Sequence, residues 1–236
     1  MNAGTLRQLP LGIGLKEWIT FETFVPGPNG EAIACLQQGN ERYAYLWGER
    51  GTGKSHLLQA ACRVRAGTAA YLPLRELVAL GPGVLEGLET LDLVCLDDLD
   101  QTAGDSTWEQ ALFVLYDRLR DAGGMLRVAG SAPPSELGFG LVALVSRLTW
   151  GPVYHLQVLG EVDRAQALGQ RARARGLDLS EEVIRWLLRH YQRDNSSLFG
   201  LLDRLDEASL AAQRRLTLPF VRWVVEQDAP QTRMSL

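Results

Sequence analysis

Two kinds of apolar pattern alternate along the first 159 residues, and only one of them continues afterwards. Short apolar runs at 43–47, 69–73, 91–96, 125–130 and 153–156 are bounded by glycine, proline or polar clusters and are too short for helices, so each predicts a buried strand. Between them lie helical patterns. The run from His56 to Ala61 follows the first strand, and Trp108, Ala111, Leu112, Leu115 and Leu119 recur at steps of three and four over 107–121. A shorter helix is expected at 141–148. Strands alternating with helices imply a parallel sheet joined by right-handed crossovers.

Beyond Leu159 the period is helical throughout. One helix is expected over 162–175, ended by Gly176. A second starts at Ser180, Glu181 and Glu182 and carries Val183, Ile184, Leu187 and Leu188 on its apolar face. Asn195 caps a third that runs through Leu210, and Thr217 with Pro219 opens a last one through Val225. The order predicts an α/β nucleotide domain with a five-stranded parallel sheet, followed by a small all-helical lid. The boundaries expected are a tail at 1–19, the α/β core at 20–160, the lid at 161–227 and a second tail at 228–236.

A length of 236 residues suits one α/β core with a small appendage. No apolar run approaches the roughly 18 residues that cross a bilayer. The start of the chain, with Arg7 and Lys16 around a glycine-interrupted segment, does not have the form of a signal peptide. A cytoplasmic protein with no membrane partner is expected. Cys35, Cys62 and Cys95 show no metal or redox spacing and stand among apolar neighbours, which predicts buried free thiols. The formal charge of −4 argues against a nonspecific DNA binder, because affinity for a polyanion rests on clustered cations. Only the stretch after residue 162 leans basic, with 12 Arg against 10 carboxylates.

The most specific chemistry lies at 48–55, Gly-Glu-Arg-Gly-Thr-Gly-Lys-Ser, between the first strand and the helix after it. Glycines at 48, 51 and 53 let the backbone turn so that successive N–H groups, that of Thr52 among them, point at a phosphate. Lys54 would then reach the β- and γ-phosphates, and the Ser55 hydroxyl would ligate Mg²⁺. His56 opens the helix whose N-terminal dipole adds to the anion site. A chance glycine-rich turn would not combine the strand, the helix and all the specified residues.

Other candidates follow from strand ends. Asp97 and Asp98 close the third strand, where a carboxylate can hold Mg²⁺ through water; Asp97 takes that role and Asp98 could orient an attacking water. Their bland alternative is a solvated acidic turn. Ser131, after the fourth strand and before Pro133 and Pro134, is either a sensor of the γ-phosphate or ordinary turn chemistry. Arg147, late in the helix at 141–148, is either a surface arginine or a finger for a neighbouring subunit's nucleotide. The segment Gln8, Leu9, Pro10, Leu11, Gly12 and Ile13 is either a tail or a linear peptide. As a peptide it offers one amide and aliphatic anchors to a partner's pocket.

Taken in order, several of these segments resemble the AAA+ domain of the bacterial replication initiator DnaA. They are the phosphate loop with His-Leu-Leu after it, the paired Asp, Pro-Pro after strand four, and Ser146-Arg147-Leu148-Thr149-Trp150-Gly151 before the helical lid. The segment from Thr20 to Asn29 is similar to the one that covers the adenine in that family. Within the family the chain most resembles the Hda-like regulators, over nearly its whole length. They begin with a sliding-clamp-binding peptide, which Gln8, Leu9, Leu11 and Ile13 resemble, and stop after the lid. The resemblance implies an AAA+ P-loop NTPase core, a bound adenine nucleotide (ADP or ATP) with Mg²⁺, and two protein partners, DnaA and the sliding clamp (beta subunit) of DNA polymerase III. DNA would be met indirectly through the clamp, and a homo-oligomer is possible. The implied activity is regulatory inactivation of DnaA: Arg147 would act in trans on DnaA-bound ATP, preventing re-initiation of DNA replication, while the chain's own ATPase stays weak. The alternative is an AAA+ ATPase acting as a DnaA-like initiation or helicase-loading factor. The family usually places an arginine at the start of the third lid helix, where Ser196 stands here with Arg193 one turn earlier.

Overall fold

A strand whose every residue is buried must be covered on both faces, and Leu93–Asp97 is such a strand. It lies inside a five-stranded sheet of order β2-β3-β4-β1-β5 in which all the pairs are parallel. The computed structural model describes residues 15–16, 18–190, 195–212 and 214–227, with the side chains of 195–197 excepted. These fall into two compact units. One holds the described residues of 1–21, 31–48 and 54–156; the other holds those of 22–30, 49–53 and 157–236.

The first unit is built in chain order from α1 (Gly30–Gln38), β1 (Tyr43–Trp47), α2 (Lys54–Val64), β2 (Ala69–Pro73), α3 (Leu74–Leu77), β3 (Leu93–Asp97), α4 (Ser106–Ala122), β4 (Met125–Gly130), α5 (Val142–Leu148) and β5 (Val153–His155). Inward positions alternate along the strands. Tyr45, Leu72, Val94, Leu96, Leu126 and Val128 pack with Trp108, Leu112, Leu115 and Leu119 of α4, while Leu57, Leu58, Ala61 and Cys62 of α2 are buried as well. Helix α4 starts where Asp105 accepts the N–H groups of Thr107 and Trp108 at 2.9 and 3.3 Å, and it stops at Gly123, in the left-handed conformation.

The second unit carries the lid helices α6 (Glu161–Ala174), α7 (Glu181–His190), α8 (Asn195–Ala212) and α9 (Leu218–Gln227). Their apolar faces meet through Leu168, Ala172, Val183, Leu187, Leu201, Leu205, Val221 and Val224. Ser180 accepts the N–H of Val183 at 3.3 Å and so caps α7, as its position in the sequence predicts.

Three expectations need correction. The third strand starts at Leu93, not at 91, because the N–H groups of Asp92 and Leu93 both turn to the Thr68 carbonyl, at 2.9 and 3.2 Å. The fifth strand stops at His155, one residue early. Cys62 and Cys95 are buried free thiols, but Cys35 is only half-buried, because it stands beside the Ala32, Ile33 and Leu36 stripe of α1 rather than on it.

Candidate functional site

Parallel strands bring all their carboxyl ends to one edge, and the register here aligns them closely. Trp47 is opposite both Gly130 and His155, and Pro73 is opposite Asp97. Gly48, Asp97, Asp98 and Ser131 therefore emerge on the same edge of the first unit, with α2 starting there at Lys54. The φ of Gly48 is +149°, and a Cβ on it would lie 2.4 Å from the Leu156 carbonyl oxygen, so glycine alone fits. The Lys54 Nζ donates to the Gly48 carbonyl at 2.6 Å. Burial lowers the Lys54 pKa, and the carboxylates of Asp97, Asp98 and Asp100 oppose that shift.

Asp97 is 2 % exposed. Its carboxylate accepts the Tyr71 hydroxyl at 2.7 Å and the Asp98 backbone N–H at 3.0 Å. Burial pushes its pKa up, and the hydrogen bonds from Ser55 and Tyr71 pull against that. A buried carboxylate and a hydroxyl in the first turn of α2 are hard oxygen donors, a set that fits Mg²⁺. Among the described residues no group of three or more His, Cys, Asp or Glu makes an all-protein metal cage.

Asp98 is the one non-glycine residue with positive φ among the described residues, at φ 54° and ψ 47°. Its side chain pairs with Arg75 at 2.9 Å from Nε to Oδ2. Ser131 is exposed and its N–H donates to Asp100 at 3.1 Å. His56 is buried, with Nε2 2.7 Å from the Thr20 carbonyl, so that nitrogen carries the proton.

In the second unit, Gly51 and Gly53 have φ of 84° and 100°. A Cβ on Gly53 would come within 2.4 Å of the Phe24 ring. Thr52 is buried and its hydroxyl donates to the Glu49 carbonyl at 2.9 Å. The 22–30 segment is pinned at Asn29, whose amide donates to the Gln157 carbonyl at 3.0 Å and accepts the Gln157 N–H at 2.8 Å.

Arg147 belongs to the other edge of the sheet. Its guanidinium stacks 4.5 Å from the Trp150 ring and 4.9 Å from Phe113, and its Nε lies 3.2 Å from Asp117. Trp150 packs edge-on against Tyr116, which stacks at 4.5 Å on Tyr43, the first residue of β1. The phosphate loop leaves from the last residue of that strand, about 13 Å away by strand rise. The expected clamp peptide, Gln8, Leu9, Leu11 and Ile13, lies outside the described residues, as do Arg193 and the Ser196 side chain. Among the described residues no helix is long and apolar enough to cross a membrane.

Tyr71 and Arg75 were not legible as site residues. Tyr71 reads as a strand aromatic, and only the parallel pairing of 71 with 95 and 73 with 97 turns it toward Asp97.

Comparison with known proteins finds one family model and several solved structures similar to the chain. Residues 161–225 match the family model for the Hda lid domain. Domain III of the Thermotoga maritima replication initiation protein DnaA superimposes with a TM-score of 0.76 at 22% identity, covering 91% of this chain and 98% of that one. AMPPCP-bound DnaA from Aquifex aeolicus gives 0.64 at 23% identity, over 83% of this chain and 67% of that one. A RuvB T158V structure from Thermotoga maritima gives 0.58 at 14% identity, over 82% and 64%. The fold is that of an AAA+ core with a helical lid.

Proposed function

We propose that this chain, which matches the Hda lid model over 161–225 and has a DnaA-like AAA+ fold, is a cytoplasmic regulator of replication initiation of the Hda/DnaA family. It inactivates DnaA by stimulating hydrolysis of DnaA-bound ATP together with the DNA-loaded sliding clamp. The observation that carries this reading is the Hda lid match over 161–225. Gln8, Leu9, Leu11 and Ile13 dock on the clamp, which brings the chain to DNA indirectly, and Arg147 acts in trans on the ATP of DnaA.

The position of Arg147 supports the trans role. It sits at the amino edge of the sheet, against Phe113 and Trp150, a full strand from the chain's own Lys54. A finger that cannot serve its own site can serve a neighbour's, and such a residue raises phosphoryl-transfer rates by about 10³ to 10⁵. The chain's own site holds an adenine nucleotide. Backbone N–H groups of 48–53 and the Lys54 ammonium take the phosphates, with the α2 dipole behind them, while Ser55 and Asp97 hold Mg²⁺. Bound Mg²⁺ supplies charge neutralisation at the phosphates. Asp98, the residue suited to orienting water, is engaged by Arg75, which favours retention of the nucleotide over its turnover.

A DnaA-like initiation or helicase-loading ATPase is the second reading, favoured by the complete loop with both acids; it requires strong intrinsic ATPase activity. The test is conversion of labelled ATP to ADP on DnaA. Conversion is expected only when this chain and DNA-loaded clamp are both present, and it should fall to the basal rate with Gln8→Ala/Leu11→Ala. Conversion independent of the clamp, or no conversion, would refute the proposal.

A further inference from the structure

The two groups that suit the metal, the Ser55 hydroxyl and the Asp97 carboxylate, come from different elements, and a side chain on a third element holds the carboxylate. Tyr71 on β2 donates its hydroxyl to Asp97 Oδ2 at 2.7 Å. The register explains how it gets there. Tyr71 pairs with Cys95 and Pro73 with Asp97, and residues two apart on a strand share a face, so Tyr71 and Asp97 project to the same side of neighbouring strands.

We infer that Tyr71 is a positioning residue for the divalent cation of the nucleotide site. This rests on the nucleotide-site reading above. The donor count makes the role specific. Asp97 has one oxygen on the Asp98 N–H at 3.0 Å and the other on the Tyr71 hydroxyl, so the carboxylate cannot rotate about its bond to Cβ without losing a hydrogen bond. A tyrosine hydroxyl that occupies Asp97 from β2 sets the orientation of the carboxylate before any cation arrives. Outer-shell partners of this kind typically govern metal affinity by about 10- to 100-fold. Neither the phosphate-binding backbone nor Lys54 depends on it, so nucleotide affinity without metal should not need this hydroxyl.

The test uses the full chain and a fluorescent ADP analogue, titrated in EDTA and then against Mg²⁺. Tyr71→Phe keeps the ring and removes the hydroxyl. Its affinity in EDTA should stay within about twofold of wild type, while the Mg²⁺ concentration for half-maximal enhancement rises by about tenfold or more. Placing 3-fluorotyrosine at position 71 restores a donor of nearly the same shape, and it should restore the Mg²⁺ response; this holds the test open if Tyr71→Phe folds poorly. An unchanged Mg²⁺ midpoint in Tyr71→Phe, or an equal loss of affinity in EDTA and in Mg²⁺, would overturn the inference. Failure of 3-fluorotyrosine to restore the response would do the same. A wild-type chain that bound the analogue in neither condition would overturn the nucleotide-site reading itself, and the Tyr71 role with it.

Discussion

Lys54 and Gly53 show how far single residues specify the loop. Lys54 bridges to the Gly48 carbonyl at 2.6 Å, the contact a phosphate would replace or share. An ADP concentration of 100 times Kd should stabilise the wild-type chain by about 2.7 kcal/mol, and Lys54→Ala should show no such gain in thermal melting; equal gains in both would deny the lysine its role. Gly53 has φ of +100° with Phe24 against it. Gly53→Ala should store roughly 1–3 kcal/mol of strain, read as a tenfold to hundredfold loss of nucleotide affinity, and an unimpaired variant would show that the loop tolerates a side chain. Both residues were legible from the spacing 48–55 alone, because their chemistry is local. Arg127 was not: it reads as a polar interruption in strand four, yet it is 2 % exposed, with its guanidinium on the Leu126 and Glu41 carbonyls. The Glu41 carbonyl lies far from it in the chain, and no local pattern announces that contact.

At the scale of elements, periodicity was the reliable signal and punctuation the misleading one. Strands at 43–47, 69–73 and 125–130 and helices α4 to α9 stand close to where the apolar spacing puts them. Helix α1 carries the ordinary Ala32, Ile33 and Leu36 stripe, yet no helix is expected there from the apolar pattern; it starts immediately after Pro26, Gly27, Pro28 and Asn29. The third strand was set early because Leu91 and Asp92 continue the apolar alternation while their backbone belongs to a turn. Two element-level outcomes follow. Leu187 is fully buried in the lid core, so Leu187→Ala should cost about 2–5 kcal/mol in chemical denaturation; a loss under 1 kcal/mol, on the order of a surface change, would contradict that packing. Asp105 caps α4, and the hydrogen bonds from the Thr107 hydroxyl and from the Thr107 and Trp108 N–H groups hold its carboxyl below the usual range. Its folded pKa is depressed, so its contribution is complete above the unfolded pKa and disappears as pH falls through the folded value. Asp105→Asn keeps a cap without a titrating group. Its melting temperature should therefore fall less steeply than wild type on acidification through the carboxylate range, and parallel profiles would show that the cap carries no pH dependence.

At the scale of the molecule, the match to the Hda lid model over 161–225 and the DnaA-like AAA+ fold agree with one another and with the order of motifs along the chain. Sequence order alone discloses that a phosphate loop, paired acids and a Ser-Arg-Leu segment occur in succession; the sheet order then separates them, with the loop and acids at one edge and Arg147 at the other. That separation is a property of a parallel sheet and could be inferred only once β5 was known to run beside β1. It also frames the central proposal, that the hydrolysis this chain promotes takes place on DnaA. The direct measurement is single-turnover hydrolysis of ATP held by DnaA, in the presence of DNA-loaded clamp, comparing wild type with Arg147→Ala while clamp binding is followed in parallel. The account predicts that Arg147→Ala binds the clamp as wild type does and loses nearly all the stimulation, up to the roughly 10³-fold or greater effect of an arginine finger. Undiminished stimulation by Arg147→Ala would contradict it.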